Sequence, residues 1–204
     1  LYTQFSQNVL ADETDHLLVL AEKDLAGLPD SYRAGAAVAA EASGHPGKWV
    51  VLNTRSSMEP FLTFSERRDL REKVWRTYYS RGDNGDAKDN KAIITEILAL
   101  RAERAKLLGY ATHAHWRLED TMAKTPERAM ALLEAVWTPA VARAHEEIAD
   151  MQAVADAEGA GIRIEPWDYR FYAEKVRKAK YDIDENLVKP YLQLEQLREG
   201  MFQV

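Results

Sequence analysis

Thr125–Pro126 opens a run in which Leu133, Val136, Trp137, Ala140, Ala144, Ile148 and Met151 return at three- and four-residue intervals. A hydroxyl at the N-cap followed by proline at the first helical position is a strong helix start. The intervals put those apolar side chains on one helical face, which they are expected to bury. Pro139 falls inside the run and predicts a kink. A chain carrying this run must be built around one long helix. GAGIRIEP ends the pattern.

Other helices are signalled on both sides of it. Ser65 is a candidate N-cap, and Leu70, Val74 and Tyr78 follow every four residues. RGDNGD is a polar loop, after which Asp89 or Asn90 can cap a helix with the stripe Ile94, Ile97, Leu98, Ala105, Leu108. Gly109 stands where a C′ glycine belongs. Earlier, Phe5 and Val9 share a helical face, and the Ala-rich stretch Glu22–Ala42 reads as helix interrupted near Gly27–Pro29. Strand signals are confined to the first third: His16–Leu20, Trp49–Thr54, and Phe61–Phe64, where Pro60 disfavours helix for the residue before it. The expectation is a mainly α chain with one small β-sheet. Residues 1–64 form a mixed part and residues 65–204 a helical part, with no linker between them.

Composition excludes several classes. The net charge of −6 weighs against nucleic acid, whose phosphates demand a basic surface. The 204 residues hold no cysteine, so disulfides, thiolate nucleophiles and Cys-ligated zinc are absent. That suits the reducing cytoplasm, although periplasmic proteins can also lack cysteine. No apolar run approaches the ~20 residues that span a bilayer. LYTQFSQNVL has neither a basic n-region nor an apolar h-region, and reads as the start of a chain cut from something longer.

Neither the histidines nor the carboxylates mark an active site. His145–Glu146 begins an H-E-x-x-H pattern, but its fifth position is Ala149. His113 and His115 would point about 200° apart on a helix, too divergent to share a metal. There is no Gly-rich phosphate loop and no G-x-S-x-G elbow.

EPWDYRFYAEKVRKAKYD, from Glu165 to Asp182, interleaves aromatics with cations. Its five cations and four carboxylates leave a net of +1. Tyr169, Tyr172, Ala173, Val176 and Ala179 share one helical face. This is a packed helix with a charged outer side, in which basic stems cover an apolar rim. A cleft lining remains the alternative.

Six segments, in order, carry a family resemblance: FSQNVLADE, LAGLPD, GKWVVLNTRSSMEPFLTFSERRDLREKVW, RGDNGDAKDNKAIITEILALRAERAKLLGY, DTMAKTP and EPWDYRFYAEKVRKAKYDIDENLVKPYLQLEQL. Together, from about Phe5 to Phe202, the chain resembles the thimet oligopeptidase-like zinc metallopeptidases. Within them it looks like the bacterial peptidyl-dipeptidase branch more than oligopeptidase A, on RSSMEPFLTFSERRDLREKVW and RGDNGD.

The resemblance implies an elongated, mostly helical fold with a deep channel, acting on short peptides and releasing dipeptides from their C-terminus. It also implies a catalytic zinc held by an H-E-x-x-H helix and a downstream Glu. No position here matches those residues, so no catalytic or metal residue is carried over. The chain is expected to be an inactive internal segment that binds no zinc itself, its partner being the rest of a longer protein. Trp167, Tyr169 and Tyr172 are candidates to line the peptide channel; packing between helices is the competing role. Exposed apolar faces would also permit self-association, and a non-enzymatic interaction module is the alternative function.

Overall fold

The computed structural model describes residues 1–181 and 185–203. Asp182, the last residue of the aromatic and basic stretch, lies outside them. Helix α1 (Tyr2–Asp15) leads into strand β1 (Leu18–Leu20), a short 3-10 turn and α2 (Asp30–Ala42). Strand β2 (Trp49–Val51) pairs antiparallel with β1, with Leu18 opposite Val51 and Leu20 opposite Trp49. Then follow α3 (Arg55–Phe64), α4 (Arg68–Tyr79), α5 (Lys91–Leu107), α6 (His113–Leu118), α7 (Pro126–Ala157), α8 (Tyr169–Tyr181), α9 (Glu185–Val188) and α10 (Leu194–Gln203). Among the described residues the fold is mainly α with one two-stranded sheet, as expected. Both strands are shorter than the apolar runs that announced them.

The principal core gathers Leu20, Leu25, Leu28, Val51, Met58, Phe61, Leu62 and Val74. It joins the sheet to α3 and α4. Each of the larger side chains contributes roughly 1.5–3 kcal/mol by leaving water. That burial explains the main correction to the sequence reading. RSSMEPFLTF is helix α3, not extended chain, and Phe61–Phe64 adds no strand. Pro60 sits inside the helix and forfeits one backbone hydrogen bond. In return, Met58, Phe61 and Leu62 are placed on one buried face.

Ser65 closes α3 rather than capping α4, whose N-cap is Arg67. Its hydroxyl still accepts from the Arg67 N–H at 3.3 Å. Val74 of the predicted stripe is buried, and Leu70 and Tyr78 pack against the same core.

Two of the local end signals hold. Thr125 caps α7 by accepting from the Arg128 N–H, with Pro126 first in the helix. Gly109, at φ +81°, ends α5. Its N–H reaches Lys106 O at 3.1 Å, and Tyr110 N–H reaches Ala105 O at 2.9 Å, the paired bonds of a Schellman motif.

The stripes themselves are another matter. In α7 only Met151 of the seven predicted positions is buried; Leu133, Val136, Trp137, Ala140, Ala144 and Ile148 are exposed. In α5 Ile97 and Ala105 are buried, while Ile94, Leu98 and Leu108 are exposed. α7 continues through Pro139, and its last turns pack on α8 through Met151, Ala155 and Tyr172.

Candidate functional site

The Trp167–Tyr181 segment docks onto α3 and α4 through charge rather than through a continuous apolar seam. Asp168, fully buried, immediately precedes α8. Its carboxylate accepts from Arg71 Nη2 at 2.8 Å and from Arg68 Nη2 at 2.8 Å and Nε at 3.1 Å. Arg71 is itself buried and donates onward to Ser65 O at 2.7 Å and Trp167 O at 3.3 Å. Hydrogen bonding to Asp168 holds the Arg68 guanidinium above its ordinary pKa. A buried ion pair with every polar atom engaged fixes a register between segments more than it adds net stability.

Aromatic rings close over this pair. Arg71 lies 4.1 Å from the Phe171 ring centroid, and Arg76 lies 4.9 Å from that of Trp167. Trp167 meets Trp75 edge-on at 5.9 Å. Outside, Arg170 donates to Glu59 at 2.6 Å. An open groove of about 480 Å³ runs between α3 and α8, lined by Glu59, Pro60, Thr63, Phe64, Tyr169, Arg170, Ala173, Glu174 and Arg177.

The three aromatic candidates are placed differently. Tyr172 is buried against Met151 and Ala155, and burial raises its phenol pKa. Trp167 is half-buried between α4 and the Glu165 turn, with its indole N–H unpaired. Tyr169 is 46% exposed and faces the groove. The structure therefore does not bring them together as one surface.

Arg68, Arg71, Asp168 and Glu59 were not singled out by sequence. An acidic residue directly before a helical run is an N-cap signal, but nothing local tells that its partners lie 97 and 100 residues away.

The histidines assemble no helical zinc motif. His115 Nδ1 bonds Thr112 Oγ1 at 2.8 Å. His113 packs on Trp116, and burial with the nearby Arg101, Arg104 and Arg117 pushes its pKa down. His145 is exposed on α7. Among the described residues, three candidate metal donors converge at Asp12, His16 and Asp86. That set is not the His pair plus Glu implied by the family resemblance. The residues in hand do not fit the family's catalytic zinc.

Among the described residues, no helix is long and apolar enough to cross a membrane.

Residues 61–204 match the family model for peptidase family M3. Over 204 residues, 99% of this chain, the sequence is 39% identical to the dipeptidyl carboxypeptidase of Escherichia coli (strain K12), covering 30% of that protein. It is 38% identical to a probable cytosolic oligopeptidase A of Arabidopsis thaliana, over 98% of this chain and 29% of that protein. Oligopeptidase A of Escherichia coli (strain K12) is 34% identical over 100% of this chain and 31% of its own length. The chain thus spans about 30% of the length of the curated relatives it matches.

Proposed function

The chain belongs to peptidase family M3, and from that premise we propose that it forms part of the wall of a zinc-dependent peptidyl-dipeptidase, which removes dipeptides from the C-terminus of short peptides. The observation that carries this reading is end-to-end similarity at 39% identity to a dipeptidyl carboxypeptidase, slightly above the oligopeptidase A relatives.

In this reading the metal and its activating carboxylate come from residues outside these 204. The chain contributes the small sheet, the groove between α3 and α8, and the helical surface on which the rest of the protein packs. Trp167 and Tyr169 are assigned to the peptide side. Tyr169 fits that role through its exposure at the groove; Trp167 lies outside the groove, against Trp75, Arg68 and Arg76, and would meet a peptide only on its exposed side. Tyr172, buried against Met151 and Ala155, has a packing role instead.

The test uses two peptides of the same sequence, one with a free C-terminal carboxylate and one amidated. A polypeptide that carries these residues together with an H-E-x-x-H helix is expected to release a dipeptide from the free peptide alone. Equal internal cleavage of both peptides would instead identify an oligopeptidase A-type endopeptidase. The 204-residue chain by itself is expected to release nothing, with or without added zinc; zinc-dependent release by it would sink the assignment of the chemistry to other residues.

A second reading, an interaction module without catalysis, is favoured by one observation. Leu132, Leu133, Val136 and Trp137 of α7 are each more than 60% exposed. An apolar face of this kind marks a contact surface.

A further inference from the structure

Away from the groove, three side chains meet where α1 ends. Asp12 and His16 lie one helical turn apart, and Asp86 reaches them from the loop between α4 and α5. Their donor atoms all lie within 4.8 Å of one another.

Asp12 is 1% exposed. Its Oδ2 accepts from Gly82 N–H at 2.7 Å and Asn84 Nδ2 at 2.8 Å. Its Oδ1 is buried and accepts no hydrogen bond. That atom faces His16 Nε2 at 3.4 Å, beyond a well-formed hydrogen bond to a ring nitrogen. A buried carboxylate oxygen without a donor is costly unless a cation meets it. Lys88, the nearby ammonium, bonds Asp15 and reaches Asp12 and Asp86 only through longer-range attraction. The Asp86 carboxylate accepts the Lys88 backbone N–H at 2.8 Å, its one side-chain hydrogen bond among those described.

We propose that Asp12, His16 and Asp86 bind a divalent transition-metal ion that clamps the end of α1 to the loop before α5. One imidazole and two carboxylates suit zinc or manganese better than the all-oxygen shells of calcium and magnesium. Donors bound at about 2.0–2.2 Å around a tetrahedral ion stand roughly 3.4 Å apart. Binding therefore draws the three side chains inward from a spread of up to 4.8 Å, and Asp86, the exposed one, is the freest to move. With His16 neutral, the trio carries two negative charges, which a divalent ion balances. Neither His145 nor the His113–His115 pair belongs to the site.

Calorimetric titration of the purified chain with zinc and, separately, manganese near neutral pH tests the proposal, alongside thermal melts. One ion per chain and a raised melting temperature are expected. His16→Ala and Asp86→Asn should each weaken binding ~10-fold or more and abolish the rise in melting temperature. His145→Ala should leave both unchanged. Absence of saturable binding by either ion overturns the site. So does binding that survives the His16→Ala, Asp86→Asn double variant, or that is lost in His145→Ala. Persistence of a His16 imidazolium in proton-detected NMR with zinc in excess overturns it as well, because the cation facing Asp12 would then be the histidine.

Discussion

Arg71 Nη2 donates to Asp168 Oδ1 at 2.8 Å, with the two side chains 2% and 0% exposed. This bond ties α4 to the start of α8 and thereby sets one side of the groove. Removing one partner leaves the other charge buried. Asp168→Leu, which strands the buried Arg71, is expected to cost about 3–5 kcal/mol, and Arg71→Met somewhat less because Arg68 still pairs with Asp168. The paired change Arg71→Met with Asp168→Leu should recover a large part of that loss. Urea unfolding of the two single variants and the double variant measures the coupling. Additive losses would show that the pair is not a coupled unit.

Gly27 supplies a second test, of backbone rather than charge. Its φ is +80°, and an added Cβ would stand 2.2 Å from Phe64 O. The backbone there is held by the Glu66 N–H bonding Ala26 O at 3.1 Å, so neither side yields cheaply. Gly44 has nearly the same φ, +79°, with nothing near its missing Cβ. Gly44→Ala should cost only the left-handed strain, about 1–2 kcal/mol. Gly27→Ala should cost distinctly more, because overlap adds to strain. Chemical denaturation of both variants gives the comparison, and equal losses would remove steric overlap from the account.

How far the sequence could be read depended on whether a signal was local. The Thr125 cap and the Gly109 turn depend on residues within one helical turn, and both were legible. Pro60 was misleading because its local cost is outweighed by Met58, Phe61 and Leu62 entering a core built from distant segments. The α7 stripe shows a different limit. Periodicity tells which face is apolar, not whether anything covers it, and Leu133, Val136 and Trp137 stay uncovered. At the groove, EPWDYRFYAEKVRKAKYD was conspicuous for its aromatics. The residue that organises it is Asp168, one acid in a charge count until its arginines arrive from α4.

Tyr32 makes stability respond to alkaline pH. Burial pushes its phenol up to about 12, while its hydroxyl donates to Ser57 O at 2.9 Å. An unfolded tyrosine titrates near 10. The folded chain therefore holds this proton more tightly between about pH 10 and 12. The stabilisation is complete below about pH 10 and is lost as pH rises through that window, by roughly 2–3 kcal/mol at most. Tyr32→Phe should lose about 1 kcal/mol at neutral pH with the hydrogen bond. It should also flatten the alkaline decline. Urea midpoints followed from neutral to alkaline pH test this; an unchanged slope in the variant would assign the decline to other groups.

The exposed face of α7 carries the last prediction. Leu133, Val136 and Trp137 follow the i, i+3, i+4 spacing of one helical face and are 61%, 61% and 69% exposed. Each such side chain returns roughly 1.5–3 kcal/mol when fully withdrawn from water, so the face favours association. The chain is expected to self-associate, its weight-average mass rising with concentration in sedimentation equilibrium. Val136→Lys with Trp137→Glu should hold it monomeric. Because both positions are exposed, helical content and unfolding midpoint should change little. A wild-type chain that stays monomeric at every concentration would refute the sticky face. Association that persists in the double variant would move it elsewhere, with Leu197, Met201 and Phe202 of α10 as the next exposed apolar cluster to substitute.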